Sequence, residues 1–274
     1  MNEINVNGRV IDAAKAFAGS DHRGLKYGDG LFESIRMLDG KMPLLAEHLR
    51  RLYRGMQFLK IEKPEIFNIA FFRKEIKRIT GSSKSARIRI SVFRAPGGLY
   101  TPTNSQATYL IECQEIKENN WVWLKKGLRI KTCPAVQLPI TPWSGFKTTN
   151  SLPYILAGIW KQDKKIDDCI LLNNMGFVAE ASSSNIFYFK NKQLYTPTDQ
   201  SGIILGVMRE QVIKLARDNR LKVIKKDILP AELLAADEFF LTNAVQGIRW
   251  VEEMDGIRFD CQKTKKIFEA LCSF

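Results

Sequence analysis

Residues 133–160 read CPAVQLPITPWSGFKTTNSLPYILAGIW, and between Thr132 and Trp160 the chain carries one charged side chain, Lys147. Charged residues make up 26% of the sequence, so a stretch of this length would hold about seven at the average rate. No carboxylate stands near Lys147 in sequence to pair with it. An unpaired ammonium is expensive to bury, and taking it out of water favours the free amine. A positioned free amine is what covalent chemistry on a carbonyl or on pyridoxal phosphate requires. The window alone also fits a lysine that lays its stem on apolar surface and reaches water from a proline-rich loop. Both readings stay open until the rest of the chain is considered.

C-terminal to this window, the apolar run after Pro153 predicts a helix over 152–161. A strand is expected at 169–172, a turn at 173–176 and a second strand at 177–179. Glu180 follows directly, before Ala181, three serines, Asn185 and another apolar strand at 186–189. A carboxylate between two buried strands needs a partner, which a protonated pyridine or the amides of a loop could supply. Leu205-Gly206-Val207-Met208-Arg209 opens an amphipathic helix over 207–218, whose first-turn amides at Val207 and Met208 can face an anion. Short strands at 222–224 and 238–241 and a final helix near 264–271 complete this half.

On the N-terminal side, Asn7-Gly8 predicts a tight hairpin between 4–6 and 9–11. A second hairpin is expected from 31–38, turning at Asp39-Gly40 and returning through 42–45. Leu45, Leu49, Leu52, Met56 and Leu59 then mark one face of a helix. At 100° per residue, His48 and Arg51 share its flank while Arg50 and Arg54 point away. A flanking Arg51 can reach an anion; a solvated basic face is the other reading. A helix at 66–79 and strands at 86–93 and 108–113 follow. The polar run EIKENN at 115–120 is the candidate linker, giving a two-domain mixed α and β (α+β) protein divided at 1–118 and 119–274.

The N-terminus shows no basic region followed by an apolar run, so a secretory signal is not expected. No uncharged apolar stretch has the length and continuity of a membrane span. Five scattered cysteines without a Cys-x-x-Cys pair, and only His22 and His48, point to reduced thiols in the cytoplasm and to no metal site. The net charge of +13 is spread in short groups without aromatic interleaving, which argues for a solvated basic surface rather than nucleic-acid binding.

Taken in order, the motifs resemble the class IV, or fold-type IV, pyridoxal-phosphate enzymes: branched-chain and D-amino-acid aminotransferases and 4-amino-4-deoxychorismate lyase. The residues that carry the resemblance are HRGLKYGDGLFE at 22–33, HLRRL at 48–52, KTTN at 147–150, Glu180-Ala181 with Asn185-Ile186-Phe187, GVMR at 206–209 and Thr242-Asn243-Ala244. The resemblance implies a small N-terminal α/β domain, a larger β-barrel-like C-terminal domain with helices, and a homodimer. It implies that Lys147 links to the cofactor and shuttles the proton, and that Glu180 faces the pyridine nitrogen. Arg51, the Val207 and Met208 amides and the Asn243-Ala244 turn would hold the phosphate.

Within the family, Leu152 replaces the tyrosine that branched-chain aminotransferases usually carry five residues after the lysine. Phe32 stands where D-amino-acid aminotransferases use tyrosine. Gly97-Gly98-Leu99-Tyr100 resembles the lyase, as do Tyr195-Thr196-Pro197 and Thr242-Asn243-Ala244. The expectation is therefore a lyase that releases pyruvate and forms 4-aminobenzoate, with a D-amino-acid or branched-chain aminotransferase as the alternative. Phe32, Arg94 and Tyr100 are the expected substrate contacts, and the substrate is a small anionic amine or amino acid. A non-catalytic basic binding protein on the same scaffold is the reading from a different class; it would hold no chromophore and would bind nucleic acid with steep salt dependence.

Overall fold

A computed structural model describes residues 3–16 and 18–273. It divides into two units: residues 1–120 with 146–150, and residues 121–145 with 151–274. Among the described residues no helix is long and apolar enough to cross a membrane, and no cluster of three metal-ligating side chains occurs.

The first unit is a sheet covered on one face by two helices. Its strands are β1 (Glu3–Val6), β2 (Arg9–Asp12), β3 (Gly30–Met37), β4 (Ala86–Arg94) and β5 (Ala107–Glu115), in the order β2-β1-β5-β4-β3. The helices are α1 (Arg23–Tyr27), α2 (Leu45–Phe58) and α3 (Ile69–Thr80). Asn7 and Gly8, at φ +49° and +84°, make the expected tight turn between β1 and β2. Leu31, Ile35 and Met37 of β3 and Ile88, Ile90 and Val92 of β4 alternate onto one face. There they meet Leu45, Leu49, Leu52 and Met56 of α2. Each such side chain contributes roughly 1.5–3 kcal/mol by leaving water.

The return strand expected at 42–45 does not form. Leu38 and Lys41 close a single bridge, Pro43 has no N–H to continue a ladder, and α2 begins at Leu45. β3 pairs instead with β4 along its whole length, from Gly30↔Phe93 to Met37↔Ala86.

In the second unit, β6 (Leu128–Leu138) precedes α4 (Leu152–Asp163), β7 (Asp168–Asn173), β8 (Val178–Ala181) and β9 (Asn185–Lys190). Then come β10 (Gln193–Pro197), α5 (Val207–Asp218), β11 (Val223–Lys226), α6 (Pro230–Leu234), β12 (Glu238–Asn243), β13 (Gly247–Met254), β14 (Ile257–Arg258) and α7 (Gln262–Cys272). The sheet order is β11-β10-β9-β12-β13-β6-β7-β8, with β14 on β13. β8 also touches β9 across the 182–184 turn, so the path from β9 round to β8 returns to its start as a curled sheet. β6 runs well past the strand expected at 128–132. A register shift against β7 between Thr132 and Gln137 accommodates Pro134, which cannot donate to the ladder. The β9–β10 hairpin turns on Asn191 and Lys192, both in the left-handed region at φ +48° and +61°. A lysine where glycine is preferred costs about 1 kcal/mol.

Candidate active site

Lys147 owes its seat to strand pairing in the first unit. The amide of Phe32 donates to the Lys147 carbonyl at 2.8 Å, the amide of Thr149 donates to the Gly30 carbonyl at 3.0 Å, and Leu31 and Thr148 are bridged antiparallel. Residues 146–150 thereby line the open edge of β3, whereas the sequence reading put Lys147 in the 119–274 domain. Gly28, at φ +63°, turns its carbonyl toward this segment, where it accepts from the Thr149 hydroxyl at 2.6 Å and the Asn150 amide at 3.1 Å. A Cβ on Gly28 would also come within 2.6 Å of Asn150 Oδ1. With the Lys147 carbonyl and the Thr149 amide tied to β3, the Lys147 amine lies 4.4 Å from the Phe32 ring centre. The Arg89 guanidinium carbon lies 3.7 Å from the same centre. Phe32 is buried, so a substrate contact there lies close to the amine.

Arg51 is held by a buried carboxylate on β3. Its Nε donates to Glu33 Oε1 at 2.8 Å and its Nη2 donates to Glu33 Oε2 at 2.5 Å, a two-pronged pair that fixes the guanidinium plane. His48, one helical turn earlier, places Nδ1 2.7 Å from the same Oε2. Burial alone would raise the Glu33 carboxyl, but the Arg51 and His48 charges and hydrogen bonds outweigh it and hold the group at about 2. Arg50 and Arg54 are exposed, as their positions on the helix predict.

In the second unit Glu180 lies within β8, buried to 3% exposure. Its Oε1 accepts from the Tyr154 hydroxyl at 2.6 Å, and its Oε2 accepts from the Asn185 amide at 3.0 Å and from the Ile204 backbone N–H at 3.2 Å. Donors on both oxygens stabilise a carboxylate anion away from water. Burial, and then the neighbouring Glu180 charge, push the Tyr154 phenol far above its ordinary range, so it stays a donor. Asn185 also donates to the Ile204 carbonyl at 2.9 Å, and it abuts Gly206, where a Cβ would fall 1.9 Å from Asn185 Oδ1. Only glycine lets the start of α5 approach so closely. No side chain hydrogen-bonds that start; Glu210 lies in the first turn, but its carboxylate pairs with Arg209 at 2.9 Å, and the Val207 and Met208 amides carry the partial positive charge of the helix end.

Arg209 anchors the same turn. Fully buried, it donates from Nη2 to the Pro197 carbonyl at 2.8 Å and pairs with Asp199 at 2.9 Å. The Asn243-Ala244 turn ends β12. Asn243 Oδ1 accepts from the Val245 and Gln246 amides, its Nδ2 donates to the Ser184 hydroxyl at 2.9 Å, and Trp121 Nε1 donates to the Ala244 carbonyl at 3.3 Å. The turn is rigid, and Ala244 brings a methyl group to it rather than a hydroxyl.

The expected substrate contacts divide. Phe32 is at Lys147, but Tyr100 is 88% exposed, with its ring against Tyr27. Arg94 is buried, and each guanidinium nitrogen is engaged: Nε to Asp29 Oδ2 at 2.9 Å, Nη1 to the Lys60 carbonyl at 2.9 Å, Nη2 to the Leu59 carbonyl at 2.6 Å. Arg94, an expected substrate contact, thus stands in the structure as a tie between Asp29 and the Leu59 and Lys60 carbonyls. Glu33 and Arg89 in the first unit, and Tyr154 and Asn185 in the second, hold or flank the residues singled out in the sequence without having been given a role there. The signal available was a polar group inside an apolar run, as in GLFESIRM and LPYILAGIW.

The donors of the second unit suit a group with an anion at one end and a cation at the other: the α5 amides suit a phosphate and Glu180 a protonated ring nitrogen. In the first unit the Arg51 guanidinium suits an anion as well. Thr242 Oγ1, buried without a hydrogen-bond partner in the structure, adds an unmet hydroxyl beside the Asn243-Ala244 turn. Fold and side chains thus define an enzyme class that works through a lysine amine and a phosphorylated ring. The chain belongs to the class IV amino-transferases, whose family model matches residues 30–254 and whose members use pyridoxal 5'-phosphate. It is 32% identical over 93% of its length to a putative branched-chain-amino-acid aminotransferase of Methanocaldococcus jannaschii, covering 88% of that protein. It is 28% identical over 94% of its length to the aminodeoxychorismate lyase of Bacillus subtilis, covering 89%. The structure of 4-amino-4-deoxychorismate lyase from Pseudomonas aeruginosa superposes with a TM-score of 0.86 at 27% identity, covering 98% of this chain and 97% of that one.

Proposed function

We propose that this enzyme is a cytoplasmic, homodimeric 4-amino-4-deoxychorismate lyase, converting a carboxylate-bearing cyclic amine to 4-aminobenzoate and pyruvate. The observation that carries this reading is that the Lys147 amine and the Arg89 guanidinium share one buried ring, both lying over Phe32. An amine substrate with a carboxylate near its reacting carbon meets a base and a counter-charge together. The methyl of Ala244 at the phosphate turn is the lyase-like choice.

Arg51, set by Glu33, would hold the phosphate together with the Val207 and Met208 amides and the Asn243-Ala244 turn. Glu180, kept anionic by Tyr154, Asn185 and the Ile204 amide, would face the ring nitrogen. Bound there, pyridoxal phosphate supplies a covalent handle for the substrate amine and a sink for the electrons released at the carbon bearing it. Lys147 takes the proton from that carbon as general base, with its backbone fixed by β3. The C–O bond between the ring and the enolpyruvyl group then breaks as the ring becomes aromatic, and the enolpyruvate that leaves takes up a proton to become pyruvate. In the transaminase outcome the Lys147 ammonium returns the proton elsewhere and a keto acid leaves.

The dimer has support on α4, where Leu152, Ile155, Leu156 and Ile159 are 63%, 56%, 45% and 52% exposed along one stripe. Five free cysteines fit the cytoplasm. A branched-chain aminotransferase is the second reading, favoured by the 32% identical relative. The deciding assay is 4-aminobenzoate formation from aminodeoxychorismate with no keto acid present. Amino transfer from leucine or valine to 2-oxoglutarate, with no 4-aminobenzoate, would reject the lyase. Borohydride-reducible visible absorption after incubation with pyridoxal phosphate, missing in Lys147→Ala, tests the shared part of both readings.

A further inference from the structure

Helices α5 and α7 and the β9–β10 turn enclose a groove of about 410 Å³, away from every residue assigned above. Its floor is apolar: Phe189, Ala216 and Ile267 are all buried. Its rim is cationic, formed by Lys192, Lys263 and Lys266, and no aspartate or glutamate lines it. Lys263 has a partner, Asp237 at 3.5 Å, and its ammonium also stands 5.5 Å over the Phe189 ring. Among the described residues Lys192 and Lys266 have no ion pair.

Lys192 is the second residue of the tight β9–β10 turn, whose geometry calls for its positive φ, and the turn sets its side chain at the groove. The carbonyl end of α5 disfavours an anion, but the Asn219 side chain and backbone N–H both donate to the Leu215 carbonyl there, at 2.8 and 3.1 Å. That leaves the lysines to set the sign of the rim.

We propose that this groove binds a medium-chain alkyl carboxylate, with the alkyl chain on the floor and the carboxylate between Lys192 and Lys266. The volume lies in the range of small-molecule sites, about 300–1,000 Å³. An inorganic anion or nucleotide would leave the floor uncovered, an apolar neutral molecule would desolvate the ammonium groups without compensation, and a cation would be repelled. α5 runs from the Val207 and Met208 amides to this groove, about 18 Å along a 12-residue helix. A ligand in the groove therefore rests on the same rigid element as the anion-facing amides.

The test is calorimetric titration of the cofactor-loaded full chain with dodecanoate below its micelle concentration, beside dodecanol and dodecyltrimethylammonium. Saturable one-to-one binding of dodecanoate is expected, at least tenfold tighter than either comparator. Combined Lys192→Glu and Lys266→Glu should weaken it at least tenfold. Ala270→Trp, which fills the groove from α7, should abolish it. Both variants are checked for an unchanged thermal midpoint, and the exposed lysine variant alone decides if the tryptophan disturbs folding. Equal binding of all three probes, no saturable binding, or full binding by the lysine variant each overturns the proposal.

Discussion

Replacing Glu33 by glutamine leaves shape intact and removes the charge that Arg51 and His48 share. The folded carboxyl is held at about 2 against an ordinary 4.5. That difference corresponds to about 3 kcal/mol of stabilisation at neutral pH. The sign follows from a depressed value: the contribution is complete above about 4.5 and is lost as pH falls toward 2. Glu33→Gln should therefore be less stable than wild type by about 3 kcal/mol at pH 7, with the gap down to about half or less by pH 3. Tryptophan fluorescence is a poor reporter, because Trp121, Trp123, Trp143, Trp160 and Trp250 all lie in the second unit. Hydrogen exchange at the α2 amides under graded urea reads the first unit directly. A gap below about 1 kcal/mol at pH 7, or one that does not shrink between pH 6 and pH 3, would refute the reasoning. Because Glu33 also orients Arg51, the variant should release pyridoxal phosphate more readily, read by equilibrium dialysis.

Tyr154→Phe removes one donor from Glu180 and should cost about 1 kcal/mol of stability, with weaker cofactor retention measured by absorbance titration. Gly206→Ala drives a methyl into Asn185 Oδ1, and turnover at fixed cofactor should fall at least tenfold. Arg94→Met takes the donors from the Leu59 and Lys60 carbonyls and leaves Asp29 with Arg23 as its ion-pair partner, so the thermal midpoint should drop in line with about 1–3 kcal/mol while the KM for substrate holds. Ile155→Asp together with Ile159→Asp should halve the particle mass in light scattering; an unchanged mass would remove α4 as the dimer contact.

What could be read ahead followed from local rules. The Leu45 to Met56 spacing gave α2, Gly206 marked the start of α5, and Asn7-Gly8 set the first hairpin. The return strand at 42–45 failed because a two-residue turn signal was followed by Pro43, whose missing N–H outweighed it. β10 and β13 went unread: QLYTP is short, and GIRWVEEM mixes charges into a strand with one half-wet face. Lys147 could be picked out by isolation of charge, yet its setting could not. The contacts that fix it, such as Thr149 to the Gly28 carbonyl, join residues 121 apart. The ties of Arg94 were not legible, because an arginine after a strand looks the same in sequence whether it meets a ligand or ties Asp29 to Leu59 and Lys60.

The pairing of 146–150 with β3 has a bearing on how the protein is made. During synthesis β3 has its β4 neighbour once Arg94 has emerged, but its other edge waits for residues beyond Asn120. At about 5–20 residues per second, the thirty residues from 121 to 150 occupy roughly 2–6 s on the ribosome. For that interval a nearly complete sheet presents bare amides and carbonyls, the template by which nascent chains on one message join edge to edge. Slow codons in this stretch would lengthen the exposure, and a fragment cut at Asn120 would carry it permanently. The strand that seats the lysine is also the cover that keeps the newborn sheet from its neighbours.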